Sequence, residues 1–121
     1  MTLPIKAIFL CSVCSKQAGS IILSETPDGY EVTRESFTSK MTSRVSPSAM
    51  PAVMCAIEQE CASDLFHCDF EYAPFYCPKC DASYCGDHWV RHDVFDNDDG
   101  FAWHDSIRGR CPEGHERMLE D

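Results

Sequence analysis

Four short pairs of metal-ligating side chains punctuate this chain: Cys11-Ser12-Val13-Cys14, Cys77-Pro78-Lys79-Cys80, Cys85-Gly86-Asp87-His88 and Cys111-Pro112-Glu113-Gly114-His115. Thiolate sulfur and imidazole nitrogen are the ligands of structural zinc, taken four at a time in a tetrahedral shell. The four pairs supply eight ligands, enough for two closed sites with none left over. The short separation within each pair matters, because a tight turn lets both side chains reach one ion at ~2.0–2.3 Å. One Cys-x-x-Cys is a weak signal, whereas four such pairs in 121 residues are a strong one.

Two wiring schemes are compatible with these spacings. In a local scheme Cys77, Cys80, Cys85 and His88 surround one ion and the outer pairs share the other. In a cross-brace, Cys11, Cys14, Cys85 and His88 hold the first zinc, and Cys77, Cys80, Cys111 and His115 hold the second. The cross-brace gives each site three cysteines and one histidine, a common structural set. Spacing alone leaves both schemes open.

Nine cysteines in a chain of this length suit either disulfides or metal. Met1–Leu10 contains a short apolar stretch interrupted by Lys6, too short and wrongly flanked for a secretory signal. No apolar run approaches the ~18 residues of a membrane span. A cytoplasmic location is expected, where thiols stay reduced and paired cysteines bind metal. The formal net charge is -10, and metal-bound thiolates would make it more negative still. Nucleic acid and anionic membrane surfaces would repel such a chain. The expected partner is a protein with a basic patch, steered by Asp93, Asp96, Asp98 and Asp99. The same acids read equally well as a solvated loop that keeps the protein soluble.

These side chains must be positioned by the elements between them. Met1–Leu10 reads as a strand feeding the first pair. The interval 15–76 contains Ser20-Ile21-Ile22-Leu23-Ser24, the turn Thr26-Pro27-Asp28-Gly29 and Tyr30-Glu31-Val32-Thr33, which together predict a β-hairpin. Ser39 to Pro47 is polar and reads as a loop. Met50, Val53, Met54, Ile57, Cys61 and Leu65 recur at helical spacing, predicting one amphipathic helix from Ser48 to about Phe66. Pro51 is tolerated only in its first turn. Asp93 to Gly100 reads as an acidic loop, and Glu116 to Asp121 as one helical turn. The expectation is a small α+β, zinc-stabilised single domain over 1–121. In it, 15–76 is an insertion, between the first and second ligand pairs, carrying the hairpin and the helix. A core this small is marginal unaided, which is one reason metals would be needed.

The ligand pattern resembles the RING finger family and its cross-brace, treble-clef relatives. Cys11-Ser12-Val13-Cys14 is similar to the RING opening, with an aliphatic residue before the second Cys. Cys111-Pro112 is similar to the Cys-Pro of the last RING pair, Trp103 lies where many RING domains carry Trp, and Arg117 follows the last ligand where some carry an Arg that contacts ubiquitin. The resemblance implies a shallow groove of Val13, Trp103 and Pro112 for a ubiquitin-conjugating enzyme, with Arg117 toward a ubiquitin-like protein. The chain departs from the pattern at Cys77-x2-Cys80, where a RING has Cys-x-His, and in the four residues before Cys85. That spacing is nearer to FYVE fingers. The basic run that FYVE fingers use for lipid is here Asp69-Phe70-Glu71-Tyr72-Ala73-Pro74, which is acidic. The resemblance covers the ligand pairs, about half of the chain.

Two function classes follow. The first is a RING-like ligase module that docks a conjugating enzyme and promotes transfer to lysine by holding a thioester in a reactive pose. The second is a non-catalytic zinc scaffold that recognises a protein. Catalysis by the chain itself would need an open metal position or an activated thiol. Closed three-Cys, one-His sites offer the former nowhere. Cys68 beside His67 is the candidate for the latter, and Asp69 would work against it. Cys55 and Cys61 are expected to be buried small apolar groups. Cys68, His92 and His104 read as spare ligands or surface residues. Trp89, next to a ligand, is expected to pack at a zinc site.

Overall fold

The computed structural model describes residues 3–98 and 101–121, the side chains of 96–98 and 101–104 excepted. The Asp96, Asp98, Trp103 and His104 side chains and all of Asp99 therefore lie outside the described residues. The first half of the chain forms a four-stranded antiparallel sheet in the order β1 (Ile5–Leu10), β2 (Gln17–Thr26), β3 (Gly29–Ser36), β4 (Lys40–Val45). The hairpin expected from the Pro-Asp-Gly turn is β2–β3. It shares its sheet with β1, which precedes the first ligand pair, so the interval 15–76 and the N-terminal strand build one layer. Alternation sets the inner face: Ala7 is paired with Ile21 and Ile21 with Arg34, while Ile5, Leu23 and Val32 form the next row. Register shifts between Phe9 and Leu10, where the chain leaves the sheet for the first ligand turn. The expected loop at Ser39 to Pro47 is instead mostly strand β4. It is an edge strand, with alternate residues in solvent, so its polar composition hides the strand period.

The single predicted helix is two, α1 (Met50–Glu58) and α2 (Ala62–Cys68). In the turn ahead of the first the Ser46 hydroxyl accepts from the Ala49 amide at 3.2 Å, and Pro51 sits in the first turn of the helix as expected. The break is a Schellman closure. Glu60 takes a left-handed φ of 51°. The Glu60 amide donates to Ile57 O at 3.1 Å and the Cys61 amide to Ala56 O at 2.9 Å. Glycine usually occupies that position, and its absence here makes the stop invisible in the sequence. Helix α1 packs on β1 and β2, burying Val53, Ala56 and Ile57, and α2 buries Leu65 and packs on α1 and on the segment that leads into the second ligand pair. Burying each of Val53, Ile57 and Leu65 is worth ~1.5–3 kcal/mol, and the Ala56 methyl less. Cys55, expected inside, is exposed because it falls on the opposite side of α1 from that triplet, and Cys61 is half-buried at the break.

The second half is built from short hairpins. Strands β5 (Tyr76–Cys77) and β6 (Ala82–Ser83) form one, and β7 (Val90–Asp98), β8 (Phe101–Arg110) and β9 (Glu116–Glu120) form a three-stranded antiparallel sheet. The expected acidic loop is thus largely strand β7, paired along β8. The expected C-terminal helical turn is strand β9, which buries Leu119 and pairs with Ile107–Arg110. One core joins both halves. Phe9 stacks on Phe75 with centroids 5.1 Å apart. Trp89 is buried, donates to Phe75 O at 3.2 Å and stacks on Phe37.

Candidate metal centres

Each ligand pair sits on a tight turn. In the β1–β2 connection the Cys11 amide donates to Lys16 O at 2.7 Å and the Ser15 amide to Cys11 O at 3.0 Å, with Ser15 at a φ of 65°. Cys77 and Cys80 occupy the β5–β6 hairpin, where Asp81 is left-handed and accepts from the Tyr76 hydroxyl at 2.6 Å. After β6, the His88 amide donates to Cys85 O at 2.9 Å. A Cβ on Gly86 would lie 2.7 Å from Phe37 Cβ, so the turn can be covered by Phe37 only with glycine there. In the β8–β9 turn the Gly114 amide donates to Cys111 O at 2.9 Å, and Gly114 has a φ of 91°.

The fold brings the first pair to the third and the second to the fourth. Cys11, Cys14, Cys85 and His88 form one group and Cys77, Cys80, Cys111 and His115 the other, each with its four ligand atoms within 4.8 Å of one another. The local grouping of Cys77, Cys80, Cys85 and His88 is not the one found. In the first group Cys14 Sγ and Cys85 Sγ are 3.5 Å apart, and His88 Nδ1 is 3.5 Å from Cys11 Sγ and 3.4 Å from Cys85 Sγ. In the second, Cys80 Sγ and Cys111 Sγ are 3.7 Å apart, and His115 Nδ1 is 3.6, 3.2 and 3.5 Å from Cys77, Cys80 and Cys111. A tetrahedron with ligands at ~2.0–2.3 Å has edges of roughly 3.3–3.8 Å, so both donor sets fit one four-coordinate ion. The amides of Val13 and His115 donate to Cys11 Sγ and Cys111 Sγ, each at 3.4 Å, and such donors favour the thiolate that a metal binds.

The thiols divide within each group. Burial would raise Cys11, but amides of Cys85, Cys14 and Val13 outweigh it and hold the thiol down at about 6. Burial raises Cys85. Cys111 is likewise lowered, its burial outweighed by the His115 and Glu113 amides, while burial pushes Cys77 up to about 11. A metal must therefore displace protons from the raised partners, and its affinity falls as pH falls.

The first and second groups together use all eight predicted ligands. Cys68 and His92 join neither, and both are exposed. The Cys68 thiol is pushed up by burial and by Asp64 and Asp69, the reverse of an activated nucleophile, and His67 Nδ1 is 2.7 Å from Ser63 O. Val13 is 56% exposed beside the first group, and Pro112 is exposed beside the second. Arg117 faces inward. Its guanidinium donates to Tyr76 O at 2.7 Å, Ala73 O at 2.9 Å, Phe70 O at 3.1 Å and Met118 O at 2.8 Å, and lies 4.9 Å from the Phe66 ring centroid. Burial pushes it down to about 10, still charged at neutral pH.

Sequence reasoning missed Arg34. Its side chain is fully buried on the core face of β3, between Val32 and the turn, donating to Glu71 O at 2.8 Å and Ser39 O at 2.9 Å and standing 3.6 Å from the Glu120 carboxylate. With Arg117 it pins the segment leading into the second ligand pair from two sides. The period-two pattern through Val32 and Arg34 was the available signal. Among the described residues, no helix follows Cys85–His88, and both helices lie in the interval 15–76. No helix is long and apolar enough to cross a membrane, among the described residues.

The chain belongs to the family described as Domain of unknown function (DUF8328), whose model matches residues 2–121. No curated protein and no solved structure matches it.

Proposed function

We propose that this family member is a two-zinc protein-interaction module whose metals are structural. The observation that carries the reading is the pair of closed Cys3His groups, interleaved along the chain. Each set matches structural zinc in ligand type and number and leaves no position for a reacting water. Bound zinc would supply cross-links between distant turns, and its binding energy would be folding energy. The first group joins the β1–β2 turn to the turn after β6, and the second joins the β5–β6 turn to the β8–β9 turn. Beside the first, Leu10 and Val13 are exposed on the strand end and the turn. With a net charge of -10, the fitting partner is a protein with a basic surface, in the cytoplasm, and neither nucleic acid nor membrane.

A second reading, the RING-like ligase, is favoured by the interleaving together with exposed Val13 and Pro112. It makes the partner a ubiquitin-conjugating enzyme carrying a ubiquitin-like protein. The inward course of Arg117, which the resemblance turns toward a ubiquitin-like protein, ranks it below the scaffold. Discharge of charged conjugating enzymes onto free lysine separates the two. The scaffold reading expects two zincs per chain and an unchanged discharge rate. Acceleration that Val13→Arg abolishes, with both zincs retained, would establish the ligase in its place.

A further inference from the structure

The two metal groups are alike in ligands but not in access. In the second, Cys77 and Cys111 are buried and Cys80 is half-buried. In the first, Cys11 and Cys85 are buried but Cys14 is exposed. Its neighbour Lys16 forms an exposed ion pair with Asp87, at 3.2 Å. Each group holds two sulfurs in near contact, Cys14 with Cys85 at 3.5 Å and Cys80 with Cys111 at 3.7 Å. Proximity is therefore common to both, and the exposure of one ligand cysteine distinguishes them.

We propose that the first centre is a peroxide-responsive switch, with Cys14 as the sensing sulfur and Cys85 as the resolving one. This rests on the zinc reading above. The oxidant is hydrogen peroxide. A peroxide oxygen bonds to the Cys14 thiolate as the O–O bond breaks, giving a sulfenic acid and, after protonation, one water. The Cys85 thiolate then attacks the Cys14 sulfur, the hydroxyl leaves and is protonated to a second water, and the disulfide forms. Two thiolates lose two electrons, and one peroxide with two protons becomes two waters. Cys11 and His88 alone remain at the first centre, too few to retain zinc. The new Cys14–Cys85 bond, with the Ser12 amide to Ser83 O at 2.8 Å and the exposed Lys16–Asp87 pair, keeps the Val13 turn on the 83–88 segment after the metal has gone. Oxidation would therefore release the first zinc, exchange its four-ligand cross-link for a single S–S bond beside the surface that Leu10 and Val13 present, and leave the second centre intact.

The test uses zinc-loaded full chain with the exposed Cys55 and Cys68 changed to Ser, in parallel with the unaltered chain. Peroxide is added stepwise, released zinc is read with a chromogenic chelator, and cysteine-containing peptides are mapped by mass spectrometry. The expected result is release of the first zinc equivalent alone, together with a Cys14–Cys85 disulfide, and rebinding after reductant and zinc are restored. Should the double variant fail to fold, the same peptide map on the unaltered chain decides. Release of both equivalents in step, or oxidation of Cys80 and Cys111 as fast as Cys14, would overturn the proposal. A chain purified without zinc and unable to take it up would overturn the metal reading beneath it.

Discussion

Arg117→Met separates an internal clamp from a partner-contacting arginine. The substitution keeps an unbranched stem against Phe66 but removes the fork. The Phe70, Ala73 and Tyr76 carbonyls then lose donors that stand 2.7–3.1 Å away. An interior carbonyl left without a donor costs roughly 1–3 kcal/mol. Three of them, with some water entering beside a residue that is not fully buried, give an expected loss of about 3–5 kcal/mol. That is a large share of the ~5–15 kcal/mol by which a domain is stable. Arg117→Lys keeps the charge but offers a compact ammonium in place of the planar fork, so it should recover only part of the loss. The assay is urea unfolding in zinc-containing buffer, with metal content measured alongside. The segment these carbonyls belong to leads directly into Cys77, so the second group should also lose metal affinity. A cost below about 1 kcal/mol would refute the clamp, especially if the variant instead lost only a binding or transfer activity.

Gly86→Ala places a Cβ against Phe37 Cβ at 2.7 Å; overpacking of this kind costs ~1–3 kcal/mol, and calorimetry should show it together with weaker metal binding at the first group only. Removing metal with a strong chelator should unfold the chain cooperatively, seen as loss of tertiary circular dichroism, because both groups anchor turns that flank one continuous core; a metal-free chain with unchanged melting would contradict this. Arg34→Met should destabilise by about 2–4 kcal/mol in urea, since Glu71 O and Ser39 O lose their donor and Glu120 its cation. Lowering pH should release metal in step with proton uptake at the cysteines and histidines, followed by released-metal assay; release independent of pH would count against thiolate ligation.

The ligands were readable because metal chemistry admits few residue types and demands short turns, so each pair announces itself within five residues or fewer. How the pairs group is a tertiary fact, and spacing left it open. The β2–β3 hairpin was readable from Pro27-Asp28-Gly29 between β-branched runs. Strands β4, β7 and β9 were not, because edge strands and a charged hairpin lack the apolar alternation that marks a half-buried strand. The helix was found but not its break, since Glu60 takes a left-handed conformation that the sequence gives no reason to expect. Arg117 was read as a surface contact from its place after the last ligand. Its inward course depends on carbonyls from Phe70 to Tyr76, more than forty residues away in the chain. Trp103 keeps only the standing the resemblance gave it.

Replacing the metal with cadmium-113 and recording metal–proton correlations reads ligation directly, cysteine by cysteine. Two cadmium signals are predicted, one coupled to the β-protons of Cys11, Cys14 and Cys85 and the other to those of Cys77, Cys80 and Cys111, each completed by one histidine. A single signal coupled to Cys77, Cys80 and Cys85 together, or no bound cadmium with disulfides in its place, would contradict the interleaved pair of centres on which the proposed function rests.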